Sequence, residues 1–246
     1  MCKNVLVTGA AGYVGKAVCS VFATDGWTVG LLDSRSTVDE SFVSALCDIS
    51  DIEATQKSID LLAKKLGGID SIICCAGQMI DGDGSVITVT SEIMRKTLEV
   101  NVLGTFNTIT TALPYLRNSS FPSIVVIGSL VASFGSASSE LAYTSSKGAV
   151  EAMVRELAVS LAHDGIRVNC VSPGPLAGGL FPLNSDSSTE RNRLERIPLG
   201  RRGTGDDVAY ACLYLSSKQA SYITGAFLMV DGGASAAFMA RNPEML

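Results

Sequence analysis

The stretch Val5-Leu-Val-Thr-Gly-Ala-Ala-Gly-Tyr-Val-Gly15 decides how this chain folds. Its apolar start, Val5 to Val7, reads as a buried strand. Glycines stand at 9, 12 and 15, and Lys16-Ala-Val-Cys-Ser-Val-Phe-Ala23 reads as a helix. Strand, glycine-rich turn and helix in that order are the context that a dinucleotide fingerprint needs. The glycines let backbone approach a pyrophosphate, and the helix N-terminus supplies partial positive charge.

Further apolar runs follow at Thr28–Leu32, Val43–Cys47, Ser71–Cys75, Ile124–Ile127, Ile166–Val171 and Ala226–Val230. They do not alternate with polar residues, which suits strands buried on both faces of a parallel sheet. Helical patterns lie between them at about 14–25, 51–66, 91–117, 143–163 and 205–217. Strand and helix alternate throughout, so the expected fold is a doubly wound α/β domain with helices on both faces. Ligands of such folds sit beyond the carboxyl ends of the strands. Asp33, Asp48, Ser129 and the loop after Pro173 fall there. No repeat or linker divides the chain, and its 246 residues fit one domain. The stretch Pro173–Thr189 is the only long irregular segment, and a loop of that length is expected to be functional. Its Leu176, Leu180, Phe181 and Leu183 could close over a substrate.

The formal charge is -5 with no cluster of Lys or Arg, which argues against nucleic acid and against an anionic membrane surface. Seven scattered cysteines suit buried reduced thiols, and none has zinc-site spacing. The chain reaches its glycine turn within nine residues, leaving no room for a signal peptide, and holds no apolar run long enough to cross a bilayer. A cytoplasmic protein is expected. Asp81-Gly-Asp83-Gly-Ser85 with Glu92 imitates a calcium loop, but Val86 occupies the position that requires glycine. No metal is expected.

Tyr143-Thr-Ser-Ser-Lys147 supplies the chemistry. Residues four apart share a helix face. An ammonium there is expected to stabilise a tyrosinate and to lower the phenol from its ordinary value of about 10. Such a tyrosine exchanges a proton with an alcohol or ketone. Ser129 can hydrogen-bond the same oxygen.

With these pieces in order, the chain resembles the short-chain dehydrogenases/reductases, in their single-domain branch of roughly 250 residues, similar to 3-oxoacyl-carrier-protein reductases. Thr8-Gly9…Gly15, Asp48, Ala76-Gly77, Asn101 in Asn-Val-Leu-Gly, Ser129, Tyr143…Lys147, Arg167-Val-Asn169, Pro173-Gly174 and Asp231-Gly-Gly carry the resemblance. It implies one Rossmann-type domain over residues 1–246, with a seven-stranded, mainly parallel sheet and a substrate loop at about 174–203. It also implies roles. Tyr143 is general acid in reduction and base in oxidation. Lys147 tunes it and binds the nicotinamide ribose. Ser129 polarises the carbonyl, and Asn101 holds a water that links Lys147 to solvent. The dinucleotide would lie against Gly9, Ala11, Gly12, Tyr13, Val14 and Gly15, then Cys75, Ala76 and Gly77, and then Pro173, Gly174 and Leu176. Asp48 and Ile49 would meet the adenine.

Four departures stand out. Tyr13 holds an expected glycine position, and glycine sits at 12, a spacing that resembles the longer, epimerase-like branch. Cys74-Cys75 replaces an Asn-Asn pair, which removes a contact near the adenosine ribose. Ser129 and Tyr143 are fourteen residues apart, one more than is common. Gly178 stands where a threonine often contacts the carboxamide.

Asp33 ends the second strand, 24 residues after Gly9. A carboxylate there hydrogen-bonds ribose hydroxyls and repels a 2′-phosphate, so NAD(H) is expected over NADP(H), with Arg35 as a complication. Gln78, Leu130, Val131, Phe134, Leu141 and Phe181 are the candidate pocket wall, which suggests a secondary alcohol or ketone on a hydrophobic body. Arg191, Arg193 and Arg196 are expected on a solvated face. A nicotinamide-binding regulator without turnover, and an epimerase or dehydratase using bound NAD, remain as alternatives. Apolar residues of the two long helices, among them Met94, Leu98, Phe106 and Leu157, point to a homo-oligomer, by the resemblance a tetramer.

Overall fold

A computed structural model describes residues 3–36, 41–136, 138–180 and 194–237. The candidate residues Phe181, Leu183, Arg191 and Arg193 lie outside the described residues, as does the middle of the expected substrate loop. The strands are β1 (Lys3–Thr8), β2 (Trp27–Asp33), β3 (Val43–Leu46), β4 (Ser71–Cys74), β5 (Ser123–Ile127), β6 (Arg167–Pro173) and β7 (Phe227–Val230). They form one sheet in the order β3-β2-β1-β4-β5-β6-β7. Every neighbouring pair runs parallel, so the sheet is more uniform than the mainly parallel one expected.

The helices are α1 (Tyr13–Thr24), α2 (Ile52–Leu66), α3 (Ser91–Leu98), α4 (Thr105–Leu116), α5 (Leu141–Ser160) and α6 (Gly205–Ser216). Alternate strand residues point to opposite faces. Leu6, Ile72 and Ile124 enter one core with Ile59 and Leu62 of α2, Ile109 of α4 and Val150 of α5. Val5, Val7, Ile73 and Val125 enter the other, with Val18 and Phe22 of α1 and Val208 and Cys212 of α6. Both faces are covered, which is why the strands read as unbroken apolar runs.

Local chemistry sets the helix ends. Asp51 accepts from the amides of Glu53 (2.9 Å) and Ala54 (3.1 Å), and Gly67 closes α2 in the left-handed region. Thr204 and Asp207 form a reciprocal capping box on α6. Thr90 caps α3. α1 differs: Gly12 stands at its N-cap, with no side-chain cap and no acidic residue in its first turn. Its first amides face the cleft described below.

The expected helix over 91–117 is two helices joined by a π-helical segment, Glu99–Gly104. Propensity does not reveal such a segment. Asn101 lies inside it.

The sheet reverses winding between β1 and β4, and there the loops after both strands part to form a crevice. Behind β6, Arg167 donates to the carbonyls of Leu215 (2.7 Å) and Ala220 (2.9 Å). Asn169 donates to Ile223 O (2.9 Å) and accepts from Ala226 N (3.0 Å). The Arg167-Val-Asn169 motif therefore holds β6 and the approach to β7, so that Pro173 and Gly174 reach the crevice.

Candidate active site

The crevice is a cleft of 360 Å³. Gly9, Ala11, Gly12, Tyr13, Val14 and Gly15 form one wall. Gly9 has φ +65°, and a Cβ there would lie 2.6 Å from Ala76 Cα, so the loops after β1 and β4 touch only because it is glycine. A Cβ on Gly15 would lie 2.1 Å from Gly9 O. The turn is thus drawn tightly over the uncapped start of α1, and that cradle suits the diphosphate of a dinucleotide. Cys75 and Gly77 continue the wall, Gly128 and Ser129 the floor, and Pro173, Gly174 and Leu176 the far side.

Ser129, from the loop after β5, and Tyr143 and Lys147, from α5, share the cleft lining. The Ser129 hydroxyl hydrogen-bonds the Tyr143 phenol. Lys147 Nζ lies 5.7 Å from the Tyr143 ring centre and donates to Ile127 O at 2.7 Å. A Cβ on Gly77 would lie 3.4 Å from Lys147 Nζ and 3.5 Å from Asn101 Oδ1, so both polar groups converge behind the cleft. Asn101 is fully engaged. Its Oδ1 accepts from Gln78 N (2.8 Å), and its Nδ2 donates to Gln78 O (2.9 Å) and Ser146 Oγ (2.9 Å). Ser146 Oγ in turn donates to Tyr143 O at 2.7 Å. These bonds tie the π-helical segment to the loop after β4 and to α5.

The expected lowering of the Tyr143 phenol is not what the structure shows. Burial pushes it up to about 12; the Ser129 hydrogen bond opposes that rise, and the Glu140 carboxylate adds to it. The Lys147 ammonium is spent on a backbone carbonyl, and burial draws its own value down. The Tyr143 phenol therefore keeps its proton at neutral pH.

Asp33 is buried at 6% exposure. Its Oδ2 accepts from Ala11 N (2.9 Å) and its Oδ1 from Arg35 N (2.9 Å) and Arg35 Nε (3.4 Å). The carboxylate braces the glycine turn, and Arg35 reaches the cleft lining. Asp33, Asp48, Ile49, Ala76 and Asn101 do not line the cleft. Asp48 is exposed and accepts from Ser50 N (2.9 Å) and Ser50 Oγ (2.8 Å). Ile49 is buried, and its carbonyl takes the Asn107 amide at 2.9 Å. Ala76 N donates to Thr8 Oγ1 at 3.3 Å, holding the two loops together. Of the expected pocket wall, Gln78 turns its amide to Lys96 O at 3.1 Å, and Phe134 is exposed.

Asp83 is a residue that sequence reasoning missed. Its carboxylate accepts from Ala142 N (3.0 Å) and Tyr143 N (2.8 Å), and Gly84 O accepts from Leu141 N (3.0 Å). It caps the helix that carries Tyr143 and Lys147, from 60 residues away. No local motif could have shown this, since a usual cap stands beside its own helix.

The family model described as Enoyl-(Acyl carrier protein) reductase matches residues 9–235. The 3-oxoacyl-[acyl-carrier-protein] reductase FabG of Thermotoga maritima is 32% identical over 242 residues, covering 94% of this chain and 97% of its own. The L-fucose dehydrogenase of Bos taurus is 33% identical over 244 residues, covering 94% of this chain and 89% of its own. The ligand-free aldohexose dehydrogenase AldT of Thermoplasma acidophilum superposes with a TM-score of 0.88 at 30% identity, over 98% of this chain and 97% of that one. Agreement across nearly the whole length, in sequence as in fold, places this chain in the short-chain dehydrogenase/reductase family, oxidoreductases that work with a nicotinamide dinucleotide.

Proposed function

We propose that this chain is an NAD(H)-dependent oxidoreductase that interconverts a secondary alcohol and a ketone. The observation that carries the reading is the meeting of Ser129, Tyr143 and Lys147 in the lining of the cleft that the glycine turn also lines. Bound there, a nicotinamide would supply or accept the hydride. The chain's own residues handle the proton and the orientation. In reduction the Tyr143 hydroxyl gives its proton to the forming alkoxide, and in oxidation it takes one. Ser129, hydrogen-bonded to that hydroxyl, polarises the carbonyl. Lys147 binds the ribose side of the cofactor, and Asn101 fixes the loop and helix around them. Asp33 at the end of β2 favours NAD(H) over a 2′-phosphorylated dinucleotide.

We read residues 1–246 as one domain whose segment at about 174–203 contacts the substrate. The free, mostly buried cysteines among the described residues suit a reducing cytoplasm, and among those residues no helix is long and apolar enough to cross a membrane. Val86 and Ile87, at 80% and 90% exposure, and the exposed Leu103 and Phe106 favour a homo-oligomer, in our reading a tetramer.

A panel of secondary alcohols and ketones, assayed with NADH and NADPH, tests the assignment. Tyr143→Phe is expected to cut kcat/KM by about 10²–10⁴ while NADH binding persists. Full turnover in that variant would refute the catalytic role. Equal efficiency with NADPH would reject the cofactor preference. Dinucleotide binding with no turnover on any substrate would favour the regulator instead.

A further inference from the structure

Two positions that depart from the family pattern, Tyr13 and Gly178, lie against one another. A Cβ built on Gly178 would stand 2.6 Å from Tyr13 Cε2, 2.7 Å from Cδ2 and 3.0 Å from Cζ. The aromatic ring thus fills the space that any side chain at 178 would need. Gly178 does not have a left-handed backbone, so the ring, and not φ, is what a larger residue there would have to displace. Its neighbour is the opposite case. Gly179 has φ +99°, while its Cβ would sit at an ordinary 3.6 Å from Tyr13 Cβ. There the backbone demands glycine and the ring does not.

The contact spans the cleft. Tyr13 is the first residue of α1, beside the amides that suit a diphosphate, and Gly178 follows β6 on the far side; both line the same cavity. The base of the far side is fastened. Ala177 N donates to Gly203 O at 2.8 Å, Gly203 N to Pro175 O at 3.0 Å, and Arg202 Nη1 to Leu176 O at 3.0 Å. Past that fastening, the ring is what Gly178 rests on.

We propose that Tyr13 is a cofactor-positioning residue: its ring is the seat for Gly178, and the fit of the pair sets how closely the loop after β6 covers a bound dinucleotide. This rests on the cofactor reading above. Residues in direct contact couple non-additively, whereas independent ones add. A cycle of Tyr13→Ala, Gly178→Ala and the double variant therefore isolates the pair, read by NADH affinity from calorimetric titration and by thermal unfolding without nucleotide. Gly178→Ala is expected to weaken NADH binding about tenfold when Tyr13 is present and less than about twofold in the Tyr13→Ala background. Its loss of melting temperature should shrink in the same way. Gly179→Ala is the control and should cost the same melting temperature in both backgrounds, because its strain is in the backbone. Equal effects of Gly178→Ala in the two backgrounds would overturn the proposal while leaving the cofactor reading intact. If the unaltered chain bound neither NADH nor NADPH, the cofactor reading would fall and take the positioning role with it. The melting-temperature cycle would still decide the ring-to-glycine fit.

Discussion

Tyr143 and Lys147 show how far spacing carries an argument and where it stops. Four residues apart on α5, they share a face, and the ammonium lies 5.7 Å from the ring. Yet its hydrogen bond goes to Ile127 O, and the phenol is raised to about 12 by burial. A group whose folded value lies above its ordinary one, here about 10, favours the folded state in its protonated form. That contribution is complete below pH 10 and is lost as pH climbs toward 12. Wild type should therefore lose more melting temperature than Tyr143→Phe between pH 9 and 11, as differential scanning fluorimetry would measure. Activity follows the same sign. Ketone reduction, which needs the protonated phenol, should fall as pH rises, and alcohol oxidation, which needs a base, should rise; steady-state pH profiles in both directions check this. An oxidation rate that declined from pH 7 to 9 in a protein still folded would contradict the role given to Tyr143.

At the scale of elements, the decisive feature is the start of α5. A helix leaves its first amides without internal partners. Here the Asp83 carboxylate takes two of them, one belonging to Tyr143 itself. An anionic cap also matches the positive end of the helix dipole. Asp83→Ala is expected to cost about 1–2 kcal/mol of stability, measured by urea unfolding, and to lower kcat by more than it raises the KM for NADH. Asp83→Asn keeps an acceptor and should recover most of both. If Asp83→Ala left kcat unchanged while losing that stability, Asp83 would be a cap and nothing more. The same element explains what could be read beforehand. Strands, helices and the glycine turn were legible because periodicity and turn chemistry are local. Asp83 was not, because its partner lies 60 residues on, and the Asp-Gly-Asp spacing around it imitates an unrelated loop. The anchoring of the π-helical segment was equally hidden, since Asn101 is held by Gln78 from the loop after β4.

At the scale of the molecule, apolar residues of the segment 86–103 meet at the surface. Val86, Val89, Met94, Leu98 and Leu103 line a surface groove, with Arg95 and Glu99 at its edge. A patch of this kind, rimmed by charge, marks an interaction surface. With a second copy of the chain as the occupant, a Leu103→Glu/Phe106→Glu variant should run as a monomer in light scattering at micromolar concentration, while the parent runs as a tetramer. A monomeric parent would remove the oligomer proposal.

The alternation of apolar runs with helical periods, and the three glycines after Val7, were enough to determine a doubly wound parallel sheet and the place of its cleft, because backbone preferences and two-sided burial are written into neighbouring residues. The family motifs further named Ser129, Tyr143 and Lys147, which the fold does gather. Only the tertiary structure decided which way the Lys147 ammonium points, that burial dominates the Tyr143 phenol, that Asp33 braces the glycine turn, and that Tyr13 meets Gly178. Each of these depends on distances between residues far apart in the chain and on how much water their packing excludes, and neither quantity has a local signature.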